Sequence, residues 1–320
     1  MEKPKTLQQA VRYFGDEQTC IDTVAALRWP NGPICPKCGH GEHYYLATQK
    51  RWKCKKCGKQ FSVKQGTIFE DSPIGLDKWL VAIWMVANCK NGISSYEVHR
   101  AIGVTQKSAW FMLHRIRLAM QTNSFVKLGG PGGEVEVDET YIGGRSRNMH
   151  KEVRKRRITM NGPGDKTAVL GIIERGGVVR ALVAPNVRKP HLQGEVRKHV
   201  DAGSIVYTDA LLSYKGLDRD YVHKTIDHAV KYVSGAVHTN TIENFWSLLK
   251  RGLKGTYVSV EPFHLFRYLD EQAFRYNHRI DENGKKRPDG ERFDILLSQI
   301  AGKRLTFADV TGKVGSSALN

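Results

Sequence analysis

Two Cys-x2-Cys knuckles, a capped helix-turn-helix pattern and a later alternation of strands with helices predict a multidomain chain. The parts expected are an N-terminal helix with a zinc ribbon over 1–72, a helical helix-turn-helix domain over 73–126, and an α/β domain of RNase H-like strand order over 134–305. The glycine-rich stretch "KLGGPGGE" separates the second part from the third, and residues 306–320 form an unassigned tail.

The ribbon rests on Cys35, Cys38, Cys54 and Cys57, spaced C-x2-C-x15-C-x2-C. A knuckle followed by glycine turns two thiolates toward one ion, and two knuckles complete a tetrahedral zinc site. Four thiolates leave no open position, so the expected Zn2+ is single and structural. The segment "QFSVKQGTIF" supplies a strand beyond the second knuckle, while Cys20 and Cys89 stand alone as small buried apolar residues.

In the second part Leu76, Trp79, Leu80, Ile83, Trp84 and Ala87 share one face of a helix. A short helix capped by Ser94 or Ser95, a turn at Gly103 and a longer helix capped by Thr105 follow. In a helix-turn-helix the second helix can enter the major groove; in a plain three-helix bundle its apolar residues Ala109, Met112, Leu113, Ile116 and Met120 are only core. The polar and basic set Gln106, Lys107, Ser108, His114, Arg115 and Arg117 favours DNA, with Gln106, Lys107, Ser108 and Arg115 as the expected contacts.

The third part reads as a strand over 134–142, a basic loop, the hairpin "TAVLGIIERGGVVRALVAP", a helix at "HLQGEVRKHV", the strand "SIVYTDA", a short helix, the strand "YVHKTI" and two long helices. That is the order of an RNase H-like fold. Its first strand, "EVEVDETYIGG", crowds Glu134, Glu136, Asp138 and Glu139 together. Asp209 ends a later strand, where α/β sheets place ligand sites. Glu243 opens a helix whose core stripe is Ile242, Phe245, Trp246, Leu249 and Leu253, and it heads a polar stripe with Ser247, Lys250 and Lys254.

Asp138, Asp209 and Glu243 give D-x70-D-x33-E, a set able to hold two divalent cations about 3.5–4 Å apart across a phosphodiester. Each acid has a structural alternative. "NTIE" is a capping-box pattern with Asn240 as N-cap, Asp209 could begin the next helix, and Asp138 could pair with an arginine. Strand alternation puts Asp138 with Glu134 and Glu136, but a central strand is covered on both faces, so periodicity does not choose between Asp138 and Glu139.

Composition sets the surroundings. The chain has 320 residues and a formal charge of +18, so its natural partner is a polyanion, foremost nucleic acid. No apolar run nears the roughly 18 residues that span a bilayer. The start "MEKPKTLQQAVRYFG" lacks a signal-peptide core, which points to a reducing cytoplasm without disulfides.

"VEVDETYIGG", "VYTDALLSY" and "HTNTIENFWSLLKRGLKGTY", preceded by "RWPNGPICPKCG", resemble the bacterial insertion-sequence transposases of the ISXO-like type, which carry a DDE catalytic domain. The likeness runs from about 20 to 305. It implies binding to transposon ends at the nucleoid, cleavage by metal-activated water, and attack of the freed 3′-hydroxyl on target DNA. Asp138, Asp209 and Glu243 match the acidic triad that would bind two Mg2+ ions, or Mn2+, and Lys250 matches a basic position that faces DNA. His238 and Asn240 match a polar stretch before the Glu, to which no role is assigned. The resemblance selects Asp138 over Glu139.

The segment 145–157 holds seven basic residues against one acid, and Arg145, Arg147, Arg154, Lys155, Arg156 and Arg157 are expected DNA contacts beside Lys250 and Lys254. The alternative there is a solvated loop. Concerted cutting and joining of two ends implies a homodimer or larger assembly. Two rival functions stay open: a non-enzymatic DNA-binding regulator, and an RNase H-like nuclease that does not join strands.

Overall fold

The computed structural model describes residues 2–122, 124, 126–143, 150–152, 166–226 and 238–312. The chain divides into two compact units: one joins 1–121 to 278–320, and the other runs from 122 to 277.

In the first unit, α1 (Leu7–Tyr13) and α2 (Glu17–Arg28) start at Thr6 and Asp16, whose side chains accept backbone N–H groups of the first turn. The ribbon follows as β1 (His43–Leu46), β2 (Arg51–Cys54) and β3 (Gln60–Phe61), all antiparallel. Gly39 and Gly58, each just after a knuckle, take positive φ of 71° and 67°. They let the backbone N–H turn back onto the carbonyls of Cys35 and Cys54. Alternation buries Trp52 under the ribbon, where it meets Trp29 at 5.4 Å and Phe61 at 6.0 Å between ring centroids.

Helix α3 (Leu76–Asn88) buries the predicted apolar face, Trp79, Leu80, Ile83 and Trp84 included. Helix α4 (Ser95–Ile102) begins in a capping box of Ser94 with Glu97 and ends at Gly103, whose φ of 61° permits the turn into α5 (Gln106–Met120). Thr105 caps α5 by accepting from Ser108 N at 3.1 Å.

Two sequence-based boundaries move. Residues after 277 pack with the first unit: Phe293 of α9 (Asp289–Ser298) lies 5.3 Å from both Phe14 and Trp84. Residues 300–302 pair with 66–68, so the ribbon and helical parts are not separate bodies either. The tail contributes α10 (Phe307–Val310), which opens in a capping box of Thr306 with Asp309.

Arg115 holds this unit together. It is 5% exposed, and its guanidinium donates to the carbonyls of Leu305 at 2.9 Å, Ile68 at 2.9 Å and Glu70 at 2.7 Å. His114 and Arg117 are buried as well. The expectation that Arg115 contacts DNA is therefore corrected. After its first turn α5 is enclosed on nearly every side by α3, α4, α9 and α10 of the same unit.

The second unit has a five-stranded sheet of order β10-β9-β5-β6-β7, from β5 (Glu134–Gly143), β6 (Lys166–Glu174), β7 (Val179–Ala184), β9 (Ile205–Asp209) and β10 (Val222–Ile226). The strands β5, β6 and β7 are antiparallel, whereas β9 and β10 run parallel to β5. Two short strands, β4 (Leu128–Gly129) and β8 (Val200–Asp201), form a separate parallel pair. One sheet face is covered by α6 (Lys189–His199) through Leu192 and Val196. The other is covered by α7 (Asn240–Gly252) and α8 (Leu265–Asn277) through Phe245, Trp246, Leu249 and Leu269. No helix among the described residues is long and apolar enough to cross a membrane.

Replacing Arg115 by Met leaves three carbonyls without their donor. Urea unfolding should show a loss of about 3 kcal/mol with unchanged DNA affinity of the folded protein. The opposite pattern, full stability with weakened DNA binding, would return Arg115 to the nucleic-acid surface.

Candidate active site

The four acids of the first strand separate into two pairs with different surroundings. Glu136 is fully buried, and its carboxylate accepts the backbone N–H groups of Thr241 and Ile242 at 3.0 Å each and the Thr241 hydroxyl at 2.9 Å. A strand side chain thus satisfies the unpaired first-turn donors of α7, where the helix dipole also favours negative charge. Arg175, in the hairpin between β6 and β7, completes the arrangement by donating Nε to Glu136 at 2.8 Å. The same guanidinium reaches Glu134 at 3.2 Å and the carbonyl of His238 at 2.6 Å, and stacks 4.0 Å from the Tyr207 ring centroid. The Tyr207 hydroxyl, donating at 2.6 Å, and then Arg175 hold the Glu134 carboxyl below its ordinary range.

Among the described residues Asp138 and Glu139 have no such cationic hydrogen-bond partner, and they face opposite sides of the sheet. Asp138 accepts from the indole N–H of Trp246 at 2.9 Å on the α7 side; Glu139 accepts from the Tyr214 hydroxyl at 2.6 Å on the α6 side. Burial, with the negative charges of Asp209 and Glu243, pushes the Asp138 carboxyl up to about 6. Burial, with Asp209 and Asp138, pushes Glu139 up to about 7. Asp138 is thus the strand acid that feels both other members of the sequence triad.

Asp209 stands at the end of β9, where its Oδ1 accepts from Leu211 N at 3.1 Å and turns the chain into a short 3-10 segment, Leu212–Tyr214. Glu243 is not a capping-box residue. The N-cap of α7 is Thr239 rather than Asn240, which makes Glu243 the fourth helical residue, one position too far along. Its Oε1 accepts from the Thr239 hydroxyl at 3.3 Å, and the cap is supplied from a distance by Glu136. Glu243, Ser247 and Lys254 are exposed and Lys250 is half-buried, as the polar stripe requires.

Sulfur atoms converge more tightly than the acids. Cys35 Sγ and Cys57 Sγ lie 3.7 Å apart, Cys38 Sγ and Cys54 Sγ 3.5 Å. Around tetrahedral zinc with bonds of about 2.3 Å, sulfurs fall roughly 3.8 Å apart, so the four thiolates fit that ion. Among the described residues this is the group of metal-ligating side chains whose donor atoms all lie within 4.8 Å; the carboxylates share a field without that degree of contact.

Of the expected DNA contacts on α5, Lys107 is exposed with its ammonium 4.7 Å from the Phe307 ring. Gln106 donates to Ser95 Oγ at 2.9 Å, tying the starts of α4 and α5, and Ser108 accepts from the Thr105 hydroxyl. Arg145, Arg147, Arg154, Lys155, Arg156 and Arg157 lie outside the described residues. Sequence reasoning counted Glu136 among the acids of the first strand without foreseeing its contacts with α7 and Arg175, missed Arg175 and Tyr214, and took Trp246 for core alone. A buried indole N–H needs an acceptor, and that signal was available.

Residues 129–277 match the family model of the ISXO2-like transposase domain, and residues 15–60 match that of the transposase zinc-ribbon domain. A protein in the transposable element ISH50 of Halobacterium salinarum is 28% identical over 283 residues, covering 84% of this chain and 93% of that one. A transposase-like protein of Haemophilus influenzae is 35% identical over 101 residues, covering 31% of this chain and 81% of that one.

Arg175→Met strands the Glu136 carboxylate in the interior, and denaturant unfolding should register a loss of about 3 kcal/mol. A loss below about 1 kcal/mol would mean that the helix N-terminus alone compensates the buried charge.

Proposed function

The chain belongs to the ISXO2-like transposases, and from that premise we propose that it binds the terminal inverted repeats of an insertion sequence, cleaves strands there and transfers them into target DNA. The observation that carries the reading is the common field of Asp138, Asp209 and Glu243, brought together from two strands and a helix far apart in sequence. The sheet order 10-9-5-6-7, with its single parallel side, supports an RNase H-like framework for them.

The donor set suits a divalent cation. Its ligands are all oxygens, as hard Mg2+ or Mn2+ prefers, and burial with the neighbouring negative charges makes the bare Asp138 carboxylate costly. Bound by Asp138, Asp209 and Glu243, such ions would neutralise the charge that develops on a phosphodiester as it is displaced. The rest falls to the chain's own residues. Asp209 sits at a strand end stiffened by its own turn, Glu243 on a helix pinned by Glu136, and Asp138 between them on the central strand. Lys250 and Lys254, further along the stripe headed by Glu243, would meet the phosphates flanking the cleavage point.

In the first unit, α4 and α5 with the turn at Gly103 support a helix-turn-helix reading in a narrower form than the sequence suggested. Its exposed polar part is the first turn of α5, at Lys107 and beside Gln106 and Ser108. The basic run over 145–157 is proposed as a clamp on the phosphate backbone, and a homodimer or larger assembly as the species that joins two ends. Neutralising Arg154, Lys155, Arg156 and Arg157 together should flatten the salt dependence of DNA affinity by roughly three to four ions' worth. An unchanged slope would make the run a solvated loop.

End-labelled transposon-end DNA tests the reaction. With Mg2+ the wild type should give cleaved and joined products, whereas Asp209→Asn, Glu243→Gln and Asp138→Asn should each lose at least about a thousandfold in rate. Glu139→Gln should retain most of it. Cleavage without joining would make the protein a nuclease; binding without either, and equal products from wild type and Asp209→Asn, would each overturn the enzymatic reading.

A further inference from the structure

Two carboxylates two residues apart on the same face of β5 receive opposite treatment. Glu136 is given a guanidinium and a helix N-terminus, which consume its charge. Among the described residues the side-chain donor to Asp138 is a neutral one, the indole N–H of Trp246, on Oδ2 at 2.9 Å. An indole only donates and carries no charge, so it can fix a carboxylate's orientation without competing with a cation for it. Trp246 is 4% exposed in the core beneath the sheet, so its ring has little freedom to tilt away.

The partner strand is shaped for that ring. Gly171 is the residue of β6 directly opposite Asp138. A Cβ there would come within 2.5 Å of Trp246 Cζ2, 2.7 Å of Cη2 and 2.8 Å of Ile242 Cδ1. Gly171 has no positive φ, so the space, and not a turn, is what requires glycine. Its missing side chain is the recess that lets the benzo edge lie against the sheet while the pyrrole N–H points at Asp138.

We propose that Trp246, seated in the recess at Gly171, is a positioning residue that orients Asp138 for divalent-cation binding. The proposal rests on the reading of Asp138 as a cation ligand. Removing an outer-shell partner of a metal ligand typically weakens metal affinity by about 10–100-fold, and that is the effect expected here.

The test uses the full-length, zinc-loaded chain and Mn2+ as probe, with free Mn2+ read by electron paramagnetic resonance. Trp246→Phe should weaken Mn2+ binding at least about tenfold and lower kcat for end cleavage while leaving KM for DNA unchanged. Should that variant fail to fold, 3-benzothienylalanine at position 246, with indole's shape and sulfur in place of the N–H, gives the same comparison. Gly171→Ala should weaken Mn2+ binding in the wild-type background and have a smaller effect in Trp246→Phe, where phenylalanine lacks the indole atoms the new methyl would strike and only the contact with Ile242 Cδ1 remains. Asp138→Asn serves as control. Loss of Mn2+ in Asp138→Asn but retention in Trp246→Phe or its isostere would overturn the positioning role alone; retention in Asp138→Asn as well would overturn the underlying site reading too.

Discussion

The contact between the buried carboxylate of Glu136 and the first turn of α7 is what the rest of the second unit is arranged around. Removing a carboxylate from water is expensive, and the cost is met here by backbone donors, a hydroxyl and the Arg175 guanidinium acting together. Because the helix donors are themselves unpaired at an N-terminus, each side resolves the other's deficit. The geometric result is that the helix carrying Glu243 and Trp246 is registered against the strand carrying Asp138. A helix capped by its own preceding residue would have no such tie to the sheet.

With that register set, the acids of the first strand divide by surroundings rather than by sequence. Glu134 and Glu136 are absorbed into an arginine-centred network with Tyr207 and His238. Among the described residues the side-chain donors to Asp138 and Glu139 are neutral, an indole and a phenol, and burial leaves the ionised carboxylates unfavourable. The distinction separates carboxylates paired with a cationic side chain from those held by neutral donors.

Charge in both units is used in a related way. The net charge of +18 suggests a surface prepared for DNA, yet Arg115, Arg117, Arg267, Arg275 and Arg292 are buried. Arg115 ties three backbone segments together, and Arg275 pairs with the buried Glu271 inside α8. A guanidinium has five donors and a long apolar stem, so it serves as an internal cross-link wherever carbonyls converge. Composition counts these residues as if all faced solvent.

Much was legible in the sequence because it is local: the four cysteines and their glycines, the caps at Ser94 and Thr105, the apolar stripe of α3, and the strand and helix order of the second unit. Spacing and period determine these within a few residues of each position. Which of Asp138 and Glu139 faces α7 was not legible in the strand's alternation, since both faces of a central strand are covered and alternation carries no label for which face meets that helix. The cap of α7 was misplaced because its acceptor comes from a strand more than a hundred residues earlier. Arg115 was misplaced because an amphipathic pattern marks one buried face, while packing by α10 and the segment at 300–305 encloses the other. Sequence alone thus determined which residues form each element and which side chains can carry the chemistry. Tertiary structure decided which carboxylates gain a cationic partner and which accept from neutral donors, because desolvation and pairing depend on neighbours that the chain order does not place side by side.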